Sequence, residues 1–239
     1  MRTAALLLTA FILLSSCGIY RQNAVNVPVF RQKGQINAGV QLHANGLEGQ
    51  LAASASRSMG MLLNYSTLGG FKKGDDIGQS EHHEHQFGEF GVGLYRDRVQ
   101  SPEKIRELFL LSGYGKSSIY REGVQGGHLE RASYLRFGLQ ADLGKVKGDF
   151  TWAFTPSIFV LHFNKLVDTD NLIAEDAEST FLLSQVAATA SYKIFKPLSL
   201  FTQCALSLPL TTYPLSSKYN RYADFSPFNF GAGIRLSFR

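Results

Sequence analysis

The stretch FNFGAGIRLSFR, residues 228–239, decides the fold. Phe228, Phe230, Ala232, Ile234, Leu236 and Phe238 fall at every second position, with Asn229, Gly231, Gly233, Arg235 and Ser237 between them. Successive side chains of a strand point to opposite faces, so the spacing predicts a strand with one greasy face and one small or polar face. The same alternation recurs upstream. In residues 134–143 it sets Leu135, Phe137, Leu139, Ala141 and Leu143 against Arg136, Gly138, Gln140 and Asp142. Residues 34–44, 88–95 and 184–194 repeat it, and weaker versions fill 47–56, 59–68, 105–120, 150–163 and 198–211. About ten strands and no helix are predicted. A composition with 23 Gly, 18 Phe and 10 Tyr agrees with that reading.

Alternation alone does not separate a soluble barrel or sandwich from a membrane barrel; the connections help more. Links after even-numbered strands are RS (57–58), RDRVQSPEK (96–104), GKVKGD (144–149) and FKPL (195–198). Links after odd-numbered strands are ANG (44–46) and then four long polar segments, 69–85, 121–131, 164–179 and 212–227. Short turns at one end and long loops at the other are expected of an outer-membrane barrel, with the turns periplasmic. The final strand, with Phe238 next to the terminus, resembles the last strand of bacterial outer-membrane β-barrel proteins, although Arg239 stands where the aromatic usually ends the chain. The resemblance is at the level of class and covers residues 34–239. It implies an all-β fold: a closed antiparallel up-and-down transmembrane barrel of about ten strands.

Residues 1–16 read as a targeting segment. Arg2 precedes an apolar run from Ala4 to Leu14, too short to cross a bilayer about 30 Å thick as a helix. Its end, Leu14-Ser15-Ser16-Cys17-Gly18, resembles the lipobox of bacterial lipoproteins, which implies that Cys17 is lipidated. Residues 17–33 then form a lead between the lipid and the barrel domain, 34–239, and the anchor is expected on the periplasmic side of a bacterial outer membrane. Lipidation of Cys17 leaves Cys204, in an apolar stretch, as a small hydrophobe without a disulfide partner.

Ten strands are too few for the aqueous lumen of a porin, so the polar faces are expected to fill a narrow interior. Glu89, Arg136, Asp142 and Arg235 lie on those faces, and buried charges need partners. An interior ion-pair network of these four residues is expected to plug the barrel, with rim positions in water as the alternative.

Other motifs are weaker. EHHEH (81–85) offers imidazoles, but His83 and His85 share a strand face that His82 does not, and no second ligand cluster is visible. The acidic run from Asp168 to Glu178 lacks the spacing of a calcium loop and reads as a solvated outer loop. Ser157 and His162 are five residues apart and fall on opposite faces, while His128, Asp168 and Asp170 sit in no catalytic frame. Tyr213, Tyr219, Arg221, Tyr222 and Phe225 suit an interfacial aromatic girdle or a binding patch. The net charge of +5 is scattered, with no nucleic-acid arm. No catalytic residue, metal or cofactor is therefore expected, and the partners are membrane lipids and lipopolysaccharide. The function expected is a structural or surface-interaction role in the cell envelope. Two alternatives stay open: a soluble periplasmic lipoprotein barrel holding a small apolar ligand, and an outer-membrane lipid-modifying hydrolase.

Overall fold

The structure is a computed structural model that describes residues 20–43, 46–74, 80–96, 103–123, 126–168, 179–211, 216–217 and 227–238. Its strands are β1 (Ile36–His43), β2 (Gly46–Ser54), β3 (Met59–Gly74), β4 (Ser80–Tyr95), β5 (Lys104–Gly123), β6 (Gly126–Lys147), β7 (Phe150–Asp168), β8 (Ser179–Lys193), β9 (Leu198–Pro209), β10 (Ser216–Ser217) and β11 (Phe228–Phe238). β1 to β9 pair antiparallel in chain order, β11 pairs with β9, and β1 pairs with β11. The two-residue β10 adds only to the edge of β8. The result is a closed antiparallel barrel of ten strands, with the up-and-down order expected from the sequence.

The alternation read from the sequence becomes an inside and an outside. Along β5, Leu108 is 50% exposed, Phe109 0%, Leu110 59% and Leu111 1%. Val40, Leu139, Phe154, Phe230 and Ile234 all face outward, whereas Asn37, Gln50, Asn64, Gln140, Gln203 and Asn229 are buried inside. A water-soluble barrel would hide its apolar face, so the soluble alternative with a greasy cavity is overturned: here the greasy face is the outer one. That orientation suits hydrocarbon, in which only a closed ladder leaves no backbone group unpaired. No helix among the described residues is long and apolar enough to cross a membrane; the crossing is made by strands.

Two expectations need correction. Most of the polar stretches 69–85 and 121–131 is strand rather than loop: β3 runs to Gly74, β4 starts at Ser80, β5 ends at Gly123 and β6 starts at Gly126. The EHHEH stretch and His128 therefore lie on strands. Cys204 is a free thiol exposed on the apolar outer face of β9. The interior is not simply small and polar either, since Phe109, Ile119, Phe159, Phe163 and Phe181 are all turned inward and buried.

Charging the outer belt tests the orientation. Leu110→Arg is expected to lower unfolding stability in lipid vesicles by about 2–4 kcal/mol, the cost of Arg near the bilayer midplane. Denaturant titration in vesicles measures it, and an unchanged midpoint would contradict a lipid-facing Leu110.

Candidate functional site: the occupied lumen

Part of the chain's own lead lies within the lumen. Gln22, Asn23, Ala24, Val25, Asn26, Val27 and Phe30 are each at most 4% exposed although they belong to no strand of the barrel wall. Phe30 sits at the turn end, against Tyr95 with ring centroids 5.1 Å apart, and Tyr95 bonds Ser56 O in the β2–β3 turn. Tyr20 sits toward the other end, in a cluster with Phe87, Ile119, Tyr134, Phe163 and Phe181. Ten residues of extended chain span roughly 33 Å, so the lead runs along the barrel from the loop half to the turn end. At Gln35 it meets the start of β1. The sequence-based expectation treated this lead as a mere connector to the periplasmic rim.

An extended chain in a lumen must find partners for its peptide groups. The wall supplies them with side chains. Gln203 brackets Val25, accepting from its N–H at 2.7 Å and donating to its carbonyl at 2.8 Å. Gln140 donates to Asn26 O (2.8 Å), Asn229 to Gln22 O (3.0 Å) and Asn37 to Pro28 O (2.5 Å). Glu48 accepts from Ala24 N–H at 3.0 Å. Glu107 accepts from Val29 N–H at 3.3 Å and from Phe30 N–H at 2.7 Å. That double contact holds Val29 at φ +57°, a left-handed conformation that a β-branched residue avoids on its own.

Shape complements this polarity. Phe30 occupies the space above Gly60, where any Cβ would come within 2.3 Å of the ring. Val25 and Val27 pack with Ile105, Val146, Ala153, Ala187 and Ala205. What remains open at the turn end is a pocket of about 200 Å³ lined by Pro28, Arg31, Lys193, Arg235 and Ser237, among others.

Of the four charges singled out in the sequence, Glu89 and Arg136 form an ion pair in the lumen, both nearly inaccessible. Arg136 also donates to Tyr20 Oη at 3.1 Å and lies between the Phe87 and Phe159 rings, 4.4 and 4.5 Å from their centroids. Glu89 accepts a further bond from Asn64 at 3.0 Å. Asp142 is held by neutral donors, Thr155 Oγ1 at 2.8 Å and Gln140 Nε2 at 3.0 Å. Arg235 stacks 4.8 Å over Phe201. Among these four, Glu89 and Arg136 make the one ion pair within 4 Å, while Asp142 and Arg235 attract each other at longer range.

Among the described residues, the serine and the histidines singled out in the sequence do not converge. Ser157 is buried inside, whereas His162 lies on the outer side of β7 and bonds Thr180 at 2.9 Å. His83 and His85 face inward, to Arg21 (2.6 Å) and Tyr134 (2.8 Å), and His82 faces out to Glu84 (3.2 Å). No group of three or more potential metal ligands exists among the described residues. Cys17, Asp170, Tyr213, Tyr219, Arg221, Tyr222 and Phe225 lie outside the described residues, as do the side chains of His128 and Asp168.

An apolar belt outside, a polar lumen inside and closure through the first and last strands are the architecture of a bacterial outer-membrane β-barrel. No family model matches the chain, and no curated protein matches it. Among solved structures, the translocator domain of the autotransporter NalP from Neisseria meningitidis is similar at 10% identity, with 86% of this chain and 87% of that one covered and a TM-score of 0.47. The β domain of the Bordetella autotransporter BrkA is similar at 15% identity, over 86% and 99% of the chains, with a TM-score of 0.38. CarO of Acinetobacter baumannii is similar at 11% identity, over 84% and 97%, with a TM-score of 0.32.

The ion pair has a measurable signature. Removing one partner of a buried pair strands the other, so Arg136→Ala is expected to destabilise the barrel by about 3–5 kcal/mol. The double variant Arg136→Met with Glu89→Met is expected to cost less than either single truncation. A double-mutant cycle in denaturant checks this, and additive losses would contradict the pairing.

Proposed function

We propose that this protein is a bacterial outer-membrane barrel closed by its own N-terminal lead, with a structural or surface-interaction role in the cell envelope and neither porin nor enzymatic activity. The observation that carries the reading is the burial of the lead inside the lumen, bonded by Glu48, Glu107, Gln140, Gln203 and Asn229. A lumen occupied by a chain that the wall satisfies at its peptide groups leaves no continuous water path. The end that carries the two long connections, 169–178 and 210–227, belongs on the outer face of the membrane and the other end on the periplasmic face.

The lipid anchor is part of the same proposal. Intact-mass measurement tests the modification: acyl chains are expected on the wild type and absent from Cys17→Ser.

Planar-bilayer recording tests the closed lumen. The wild type is expected to be electrically silent, and deletion of residues 20–30 to give discrete conductance steps. Gly60→Leu, which places side-chain atoms where the Phe30 ring lies, is a gentler opening and is expected to produce intermittent steps from a folded barrel. A steady open pore in the wild type would overturn the reading.

A further inference from the structure

A groove on the outer wall has no part in the lumen's chemistry. It crosses β3 to β7 near the loop end as an open hollow of about 650 Å³, lined in part by Glu84, Lys116, Ser118, Arg131, Ser133 and Lys165. Two register shifts fall within its lining, between Leu68 and Phe71 on β3 and opposite Ser133 and Tyr134, where Asn164 of β7 is left over. Bulges increase local twist and re-aim side chains, which accounts for a hollow on a surface that is otherwise convex.

The register gathers three cations there. Lys116 on β5 pairs with Ser133 on β6, and Ser133 pairs with Lys165 on β7. Two strand spacings separate the lysines, about 10 Å at the backbone. Arg131 lies two residues along β6 from Ser133, and all three basic residues are exposed. Ser118 and Glu84 adjoin them, with Ser118 Oγ donating to Glu84 Oε2 at 3.5 Å.

The groove also has a definite depth. On β5 the outer face carries Leu108, Leu110, Ser112 and Tyr114 and then Lys116; on β6 it carries Leu143, Ala141, Leu139, Phe137, Leu135 and Ser133 and then Arg131. The cations thus begin where the apolar belt ends, at the level of lipid headgroups. Lys116 Nζ lies 5.9 Å from the Tyr114 ring centroid, an interfacial arrangement.

We propose that this groove binds the phosphorylated sugar headgroup of an outer-leaflet glycolipid. Lys116, Arg131 and Lys165 take its phosphates, and Ser118, Ser133 and Glu84 lie beside the sugar hydroxyls. A volume of about 650 Å³ exceeds what one phosphate fills and suits a sugar carrying one or two. The assignment of leaflet rests on the orientation proposed above, but binding itself does not.

Titration of the delipidated full-length protein in detergent with bisphosphorylated lipid A, followed by native mass spectrometry, tests the site without reference to orientation. The lipid is expected to bind, and its fully dephosphorylated form to bind at least about tenfold more weakly, since charge-assisted bonds carry the contact. Lys116→Gln, Arg131→Gln and Lys165→Gln together are expected to cause a similar loss. Lys104→Gln, Lys145→Gln and Lys147→Gln, at the turn end, form the control and are expected to leave binding unchanged. Heat-modifiable gel mobility verifies that both variants remain folded, and single substitutions replace the triple one if it does not. The proposal is overturned if the dephosphorylated form binds equally, if phosphatidylglycerol competes equally, or if the turn-end variant loses as much as the groove variant. Protease access to the loops of intact cells reports orientation separately.

Discussion

Between β1 and β11, eight residue pairs from Ile36 opposite Phe238 to His43 opposite Gly231 close the sheet on itself. Closure removes the edges that hydrocarbon could not satisfy, and it forces one face of every strand into a common interior. With ten strands that interior is too wide for wall side chains alone to fill and too narrow for a porin's water column. The lead resolves the mismatch. It contributes Tyr20, Val25, Val27 and Phe30 as packing and a row of peptide groups that the wall's amides and carboxylates meet.

This division of labour explains the composition of the inner face. Gln and Asn carry a donor and an acceptor on one group, so a single residue such as Gln203 can bracket a peptide unit as a neighbouring strand would. Carboxylates serve where two N–H groups converge, as at Glu107 beneath Val29 and Phe30. Arg136 belongs to both systems, because it neutralises Glu89 and reaches Tyr20 of the lead. Ion pairing stabilises one level of the lumen, and hydrogen bonds to side-chain amides and carboxylates hold the rest.

The barrel was legible in the sequence because a period of two is a local signal, repeated in ten places and supported by unequal connections. Strand ends were less legible. Beyond the apolar belt the sequence turns polar, and stretches such as EHHEH then resemble loops although the ladder continues. The four interior charges could be assigned to the inner face by parity alone, but parity does not say which charges touch. Arg136 meets Glu89 from a strand two away, while Asp142 finds Thr155 and Gln140 nearer than any cation. The lead was illegible for a physical reason: an extended segment bonded by side chains has no ladder and no amphipathic period. Its trace lies in the partner strands, in the recurring inward amides Asn37, Gln140, Gln203 and Asn229.

Hydrogen–deuterium exchange of the lead in the full-length protein tests the central claim most directly. The amides of Ala24, Val25 and Phe30 are expected to exchange as slowly as those of the barrel strands, because Glu48, Gln203 and Glu107 hold them away from water. Exchange at the rate of an unstructured peptide would contradict a barrel closed by its own chain.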